Sequence, residues 1–258
     1  MDRKEYWNNT YVQYWKEKVN EANTDNGIYI NKGDIKTGSD NVIQYLINEL
    51  KISAGTCVLD VGCGFCRTYP LLNKHCDYFG CDISEDMIAE AKKQHPELSS
   101  KLTVCEAETL PYSTNYFDYI ICFGVYACYQ ESALMEMLRV LKIGGKLIIT
   151  GKNSSYKLDD EKAYIAEIRA REKNHPNYFT DVKAMLAAIK SITKIISEKY
   201  FIYRGDFSEY KYTDSIPDSF YEYALIIQKT TEINSGTEFP KFSDKYSATY
   251  RIKNKGAL

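Results

Sequence analysis

The sequence predicts a doubly wound α/β fold, a mostly parallel sheet with helices on both faces. Three observations predict it. Between residues 57 and 150, short strand-like apolar runs alternate with stretches of helical spacing, the pattern of βαβ units whose crossovers cover both faces of a sheet. The first run, Val58-Leu-Asp-Val, breaks directly into the glycine turn Gly62-Cys-Gly64. Strand character returns at residues 193–203 and 221–228, where an antiparallel pair would extend the same sheet at one edge.

Each element has a local reason. Residues 1–50 start polar and aromatic-rich (Tyr6, Trp7, Tyr11, Tyr14, Trp15), pass through a loop at 23–38 and enter a helix at 39–50. Strand one covers 56–61, and a helix is expected from near Cys66. Strand two, 78–82, is followed by a helix for which Ser84 is a good N-cap, with acids in its first turn. Strands three and four are 102–105 and 119–123. Leu134, Met137, Leu138 and Leu141 share one helical face and precede Gly144-Gly145 and strand five, 146–150. Two helices, 159–172 and 180–190, flank Asn174-His-Pro-Asn-Tyr. From Thr230 the chain is polar and lysine-rich, so partial disorder is expected, with a short strand possible at 246–252. The resulting organisation is one domain: a helical lid (1–50), a core (51–151), a helical insertion after strand five (152–192), a final strand pair (193–229) and a tail (230–258).

Composition narrows the function. At 258 residues with net charge −2 and a pI near 6.0, the chain has no basic footprint for nucleic acid. No apolar run approaches the roughly 18–20 residues of a membrane helix. The start, Met-Asp-Arg-Lys-Glu-Tyr-Trp, lacks a signal peptide's apolar core, so a cytoplasmic monomer or homodimer is expected. All 8 cysteines lie between Cys57 and Cys128, four of them inside strands, where they act as small hydrophobes. Cys63-x-x-Cys66 has half a zinc spacing, but no second pair or nearby histidine completes it, and no metal is expected.

The glycine turn carries the chemistry. A dinucleotide fingerprint needs a third glycine where Arg67 stands, and it tolerates no acid at Asp60, where pyrophosphate would lie. Both departures count against a nicotinamide oxidoreductase. Asp60-Val-Gly-Cys-Gly instead suits a zwitterionic amino-acid moiety, its ammonium toward Asp60 and its carboxylate on backbone N–H groups near the helix start. Asp82 ends strand two where an acid accepts ribose hydroxyls. Ile83 and Met87 offer apolar surface for a base, and Glu106 is placed to accept from adenine's amine. An amino acid, a ribose and an adenine in that order describe S-adenosylmethionine.

On these residues the chain resembles the class I S-adenosylmethionine-dependent methyltransferases, the small-molecule group with a Rossmann-like core. The matching stretches are Val58-Leu-Asp-Val-Gly-Cys-Gly, Gly80-Cys-Asp-Ile-Ser-Glu-Asp-Met, Ala107-Glu-Thr-Leu-Pro-Tyr with Phe117-Asp118, and Leu134-Met-Glu-Met-Leu-Arg-Val-Leu-Lys-Ile-Gly-Gly-Lys-Leu. The resemblance implies a sheet of about seven strands with its last strand antiparallel. It implies that Asp60, Gly62, Cys63 and Gly64 hold the methionine end and that Asp82 takes the ribose. Ile83, Met87, Glu106 and Ala107 would surround the adenine, and Phe123 and Gly124 would complete the cofactor site. The product would be S-adenosyl-L-homocysteine. One departure is Cys66, where the family often has a third glycine.

The acceptor is less legible. Phe123-Gly-Val-Tyr-Ala-Cys-Tyr129 lacks the Asn/Asp-Pro-Pro-aromatic motif of DNA amino-methylating enzymes, the Pro-Cys of cytosine-C5 enzymes, and an acid for a catechol-type magnesium site. Tyr6, Tyr11, Tyr14, Trp15 and Tyr129 are expected to close over cofactor and acceptor. His175, the one histidine in the insertion, is the candidate general base. The leading expectation is transfer to a hydroxyl of a sugar or related metabolite. The rivals are an N-methyltransferase and a non-catalytic cofactor-binding scaffold.

Overall fold

The computed structural model describes residues 3–12, 38–72, 76–124, 130–175, 177–234 and 236–255. Seven strands form one sheet: β1 (Cys57–Val61), β2 (Asp77–Asp82), β3 (Leu102–Val104), β4 (Phe117–Cys122), β5 (Leu141–Lys152), β7 (Thr193–Phe201) and β8 (Glu222–Lys229). Their order is β3-β2-β1-β4-β5-β8-β7. The first five run parallel, and β8 enters antiparallel between β5 and β7. The doubly wound sheet with its last strand antiparallel is therefore as expected, with β7 at the edge. Among the described residues no helix is long and apolar enough to cross a membrane.

Alternation along the strands divides the core in two. Leu59, Ile120, Leu147, Ile149, Leu225 and Ile227 face one side. There they pack on helix α3 (Gln130–Val140) through Leu134, Met137 and Leu138, and on α5 (Val182–Ile189) through Val182, Met185 and Ile189. Val58, Ile121, Ile148, Ala224 and Ile226 face the other, against Val42, Ile43, Leu46 and Ile47 of α1 (Gly38–Leu50) and Ile88 and Ala91 of α2 (Glu85–Gln94). Strands buried on both faces are what a continuous apolar run means in a parallel sheet. The cysteines of β1, β2 and β4 are free thiols within this packing.

Two expectations change in the core. No α-helix starts near Cys66: residues 64–68 are turns leading to a short 3-10 helix, Tyr69–Leu71. Cys66 has φ +59°, which no right-handed helix accommodates. Strand five begins at Leu141, directly after α3, because Gly144-Gly145 makes a turn inside it rather than before it. Gly144 has φ +82°, and a Cβ on Gly145 would lie 2.9 Å from the Asp118 carbonyl oxygen. The pairing slips there, from Phe117 opposite Leu141 to Tyr119 opposite Lys146.

The tail is built into the fold. Ser243–Asp244 forms a two-residue strand (β9) against Phe179–Thr180 (β6), and the stretch expected as a strand is a helix, α6 (Ala248–Lys253). Ser247 caps it, its hydroxyl accepting from the Tyr250 amide at 2.8 Å. The anchor is Glu167 on α4 (Glu161–Glu172), a buried carboxylate receiving Tyr156 Oη at 2.8 Å, Ser247 Oγ at 2.6 Å, the Ser247 amide at 3.0 Å and Arg171 at 2.5 Å. The Arg171 guanidinium lies 3.4 Å over the Tyr246 ring. Glu167→Ala should therefore destabilise the protein by about 3 kcal/mol, because it strands these donors in a dry site. The expected readout is a lower urea midpoint with an unchanged slope.

Candidate functional site

Two turns at the carboxyl edge of the sheet build the centre of the site. After β1, the amides of Gly62 and Cys63 both donate to the Cys81 carbonyl, at 2.7 and 3.0 Å. The turn thereby hooks onto the end of β2. Gly62 (φ +72°) and Gly64 (φ +51°) occupy the left-handed region that glycine tolerates without strain. Cys66 sits there too, which explains why glycine suits that position. Gly80 lets the turn approach β2: a Cβ on it would lie 2.9 Å from Cys63 Sγ.

The two predicted acids have different jobs. Asp82 accepts the Gly64 amide on Oδ2 at 3.0 Å and the Ser84 amide on Oδ1 at 2.9 Å, tying the glycine turn to the start of α2. Each oxygen keeps a lone pair for a further donor. Burial raises the Asp82 pKa, opposed by these amides. Asp60 lies beneath the turn, 3% exposed, and its Oδ2 accepts hydroxyls from Thr68 and from Tyr78 at 2.9 Å. Burial pushes its pKa up to about 6. Neither Thr68 nor Tyr78 was foreseen, since nothing local marks two hydroxyls that only the fold brings to one carboxylate.

The cradle has room for a ligand. A Cβ on Gly64 or on Gly124, in the turn after β4, would meet nothing within 4 Å. Phe123 is buried beside Gly124, whose amide donates to Thr150 Oγ1 at 2.9 Å. Met87 is buried, whereas Ile83 and Ala107 are half-buried. A glycine cradle, an acid with lone pairs to spare at the end of β2 and apolar side chains beyond it fit an adenosyl amino acid. Glu106 departs from expectation: its exposed side chain pairs with Arg3 at 3.1 Å.

The amino-terminal segment crosses this edge. A helical turn (Arg3–Glu5) continues into a π-helix (Tyr6–Tyr11). Arg3 forms a two-pronged pair with Glu108, Lys4 meets Glu85 at 2.6 Å, and Tyr6 Oη shares a hydrogen bond with His175 Nδ1 at 2.9 Å. The segment thus spans from the end of β3 to the insertion after β5. Tyr6 is brought to the site, and Tyr11 ends the π-helix. Tyr14, Trp15 and Tyr129 lie outside the described residues.

The side toward the insertion gathers around His175. Its ring lies 4.8 Å from that of Tyr6 and 5.4 Å edge-on to that of Trp7. Burial, aided by Lys152 and Lys173, lowers its pKa to about 4, so it is neutral at pH 7. Lys152, at the end of β5, donates to Asn177 Oδ1 at 3.0 Å, and its β8 neighbour across the ladder is Glu222. Sequence reasoning missed both charges, although the signal was that of Asp60 and Asp82: an ionisable residue at the tip of an apolar strand. Among the described residues no three His, Cys, Asp or Glu side chains cluster as a metal would require.

Comparison with known proteins agrees with this geometry. Residues 59–149 match the model of a methyltransferase domain. A Bacillus subtilis protein named as the uncharacterized methyltransferase YdaC is 31% identical over 112 residues, 42% of this chain and 62% of that one. The chain thus spans less than two thirds of the length of such relatives. A TehB-like S-adenosylmethionine-dependent methyltransferase from Corynebacterium glutamicum superposes with a TM-score of 0.53 at 19% identity, over 85% of this chain and 96% of its own. Geranyl diphosphate C-methyltransferase from Streptomyces coelicolor, solved with S-adenosyl-L-homocysteine, gives 0.55 at 12% identity, over 84% and 98%. Residues 59–149 are thus similar to the methyltransferase domain family, and the sheet that contains them shares its fold with solved S-adenosylmethionine-dependent methyltransferases.

Proposed function

We propose that the protein transfers a methyl group from S-adenosylmethionine to a hydroxyl of a small polar acceptor, a sugar or related metabolite, without a metal. The observation that carries this reading is the juxtaposition at one sheet edge. The glycine cradle with Asp60 and Asp82 lies beside a recess holding His175, Tyr6, Asn177 and Lys152.

The bound donor supplies a methyl group on a sulfonium, whose neutral leaving group needs no acid. The chain's residues then have three tasks. Asp82 positions the ribose, and the Gly62–Gly64 turn positions the amino-acid end beside the Asp60 carboxylate. The Arg3–Tyr11 segment covers the edge and excludes water, its two ends pinned by Glu108 and His175. His175, backed by the Tyr6 hydroxyl, takes the acceptor's proton. A pKa near 4 suits a base that acts late, because the hydroxyl becomes strongly acidic only as its oxygen gains the methyl group.

The test is formation of S-adenosylhomocysteine over a panel of hydroxyl and amine acceptors, with calorimetry of S-adenosylmethionine, S-adenosylhomocysteine and NADH. Tight binding of NADH alone overturns the reading. Turnover with amines and none with hydroxyls replaces it with N-methylation.

Two further outcomes are expected. Asp82→Asn keeps only one acceptor oxygen for the two amides, so it should lower stability by about 1–2 kcal/mol as well as cofactor affinity. Thermal melting and calorimetry on the same sample check both. An ammonium opposite Asp60 favours its ionised form, so the donor binds best once this carboxyl, with its pKa near 6, has lost its proton. Affinity should be flat above pH 7 and fall as pH drops through 6, by at most about tenfold per unit. Asp60→Asn should flatten that profile, leaving the smaller contribution of Asp82.

A further inference from the structure

Glu222 is a recessed carboxylate with a bonding deficit. Its acidic neighbours in the fold are satisfied. Asp160 accepts the amides of Ala163 at 2.9 Å and Arg204 at 2.7 Å. Asp206 accepts the Tyr203 amide at 2.8 Å, and Glu167 has its four donors. Glu222 receives no hydrogen bond from any described residue and makes no ion pair within 4.0 Å. Its pKa is raised by burial, offset in part by Lys152 and Arg204. Lys152 faces the same shortage: an ammonium with three donors makes one hydrogen bond, to Asn177, and burial lowers its pKa. Both side chains are half-buried, so each can offer its unused bonding capacity to a molecule arriving from solvent.

Their position relates this capacity to the site. Lys152 and Glu222 face each other across the β5–β8 ladder, so their side chains rise on the same face. Thr150, two residues before Lys152, holds the Gly124 amide of the cofactor cradle. Asn177, buried, ties Lys152 to the loop that carries His175, which in turn holds Tyr6 of the covering segment. The pair therefore lies on the side of the cradle away from Asp82, toward the insertion.

We infer that Lys152 and Glu222 form the floor of the acceptor site and select a neutral polyhydroxylated molecule, one hydroxyl donating to Glu222 and another accepting from Lys152. This rests on the methyl-transfer reading of the same site. Charge decides the class. The charges around the floor are mixed, Lys152 and Arg204 acting on Glu222 as cations and Asp160 and Asp206 as anions, while His175 is neutral and Tyr6 and Asn177 are uncharged, so a charged acceptor meets both partners and opponents. Hydroxyls both donate and accept, and they satisfy the two groups together.

The experiment titrates the protein, loaded with S-adenosylhomocysteine, with three methyl glycosides of one hexose scaffold: the neutral glucoside, the anionic glucuronide and the cationic glucosaminide. The neutral glucoside should bind most tightly. Glu222→Gln and Lys152→Met should each weaken it at least tenfold while leaving S-adenosylhomocysteine affinity unchanged. Tightest binding of a charged glycoside, no glycoside binding, or substitutions without effect on the glucoside overturn the inference. Without glycoside, Glu222→Gln should also raise the melting temperature by about 2–4 °C, because it removes a carboxylate whose ionised form desolvation disfavours. A fall instead shows a structural pair and overturns the proposal, and this arm stands even if Lys152→Met fails to fold. Failure of S-adenosylhomocysteine to bind sinks the donor reading; normal binding with the wrong glycoside pattern sinks only the acceptor floor.

Discussion

The carboxylate of Asp82 is the constraint on which the site depends. One oxygen holds the amide of Gly64 and the other that of Ser84, so a single side chain joins the turn after β1 to the turn after β2. Those turns come from chain segments about twenty residues apart and would otherwise move independently. Backbone amides bonded to a half-buried carboxylate form a charge-assisted junction, stronger than a neutral one. The junction explains why the turn can be rich in glycine, hence intrinsically loose, and still present one shape. Its energetic cost is visible in the raised pKa of the same group.

Around that junction, unused bonding capacity increases toward the insertion. Asp60 is engaged below the turn on one oxygen, Oδ2, by Thr68 and Tyr78. Asp82 retains lone pairs. Lys152 and Glu222, farthest along the edge, retain most of their bonding capacity. The fold thus leaves bonding capacity on half-buried Lys152 and Glu222 while saturating Glu167 and Asp160 nearby. The covering segment follows the same division. Its Arg3 end is held by two carboxylates, Glu106 and Glu108. At the insertion end it is held by one hydrogen bond and ring contacts between uncharged side chains.

Much of the fold was legible because it is written in local alternation. Apolar runs alternating with stretches of helical spacing gave the order of β1 to β5 with α2 and α3 between them, and Ser84 caps its helix as expected. The errors have local causes. Cys66 carries no sign of a left-handed backbone, so a helix was expected where turns occur. At 246–252, the β-prone Tyr246, Thr249, Tyr250 and Ile252 resemble a strand, but Ser247 and Glu167, 80 residues apart, fix the start of a helix. Pairing across such a distance is invisible to any local pattern.

The sequence by itself determined the glycine-turn side of the site: the strand-turn order, the glycines and the acids at strand tips lie within short windows, where spacing translates directly into geometry. Tertiary structure alone decided which residues meet on the insertion side. Lys152, His175, Glu222 and Tyr6 come from four separate segments, and whether they meet depends on β8 inserting between β5 and β7 and on the amino terminus crossing the edge. The physical reason is that recognition of a small acceptor needs charges converging from several directions. A chain can supply that convergence only by folding, because neighbouring residues in a strand point to opposite faces.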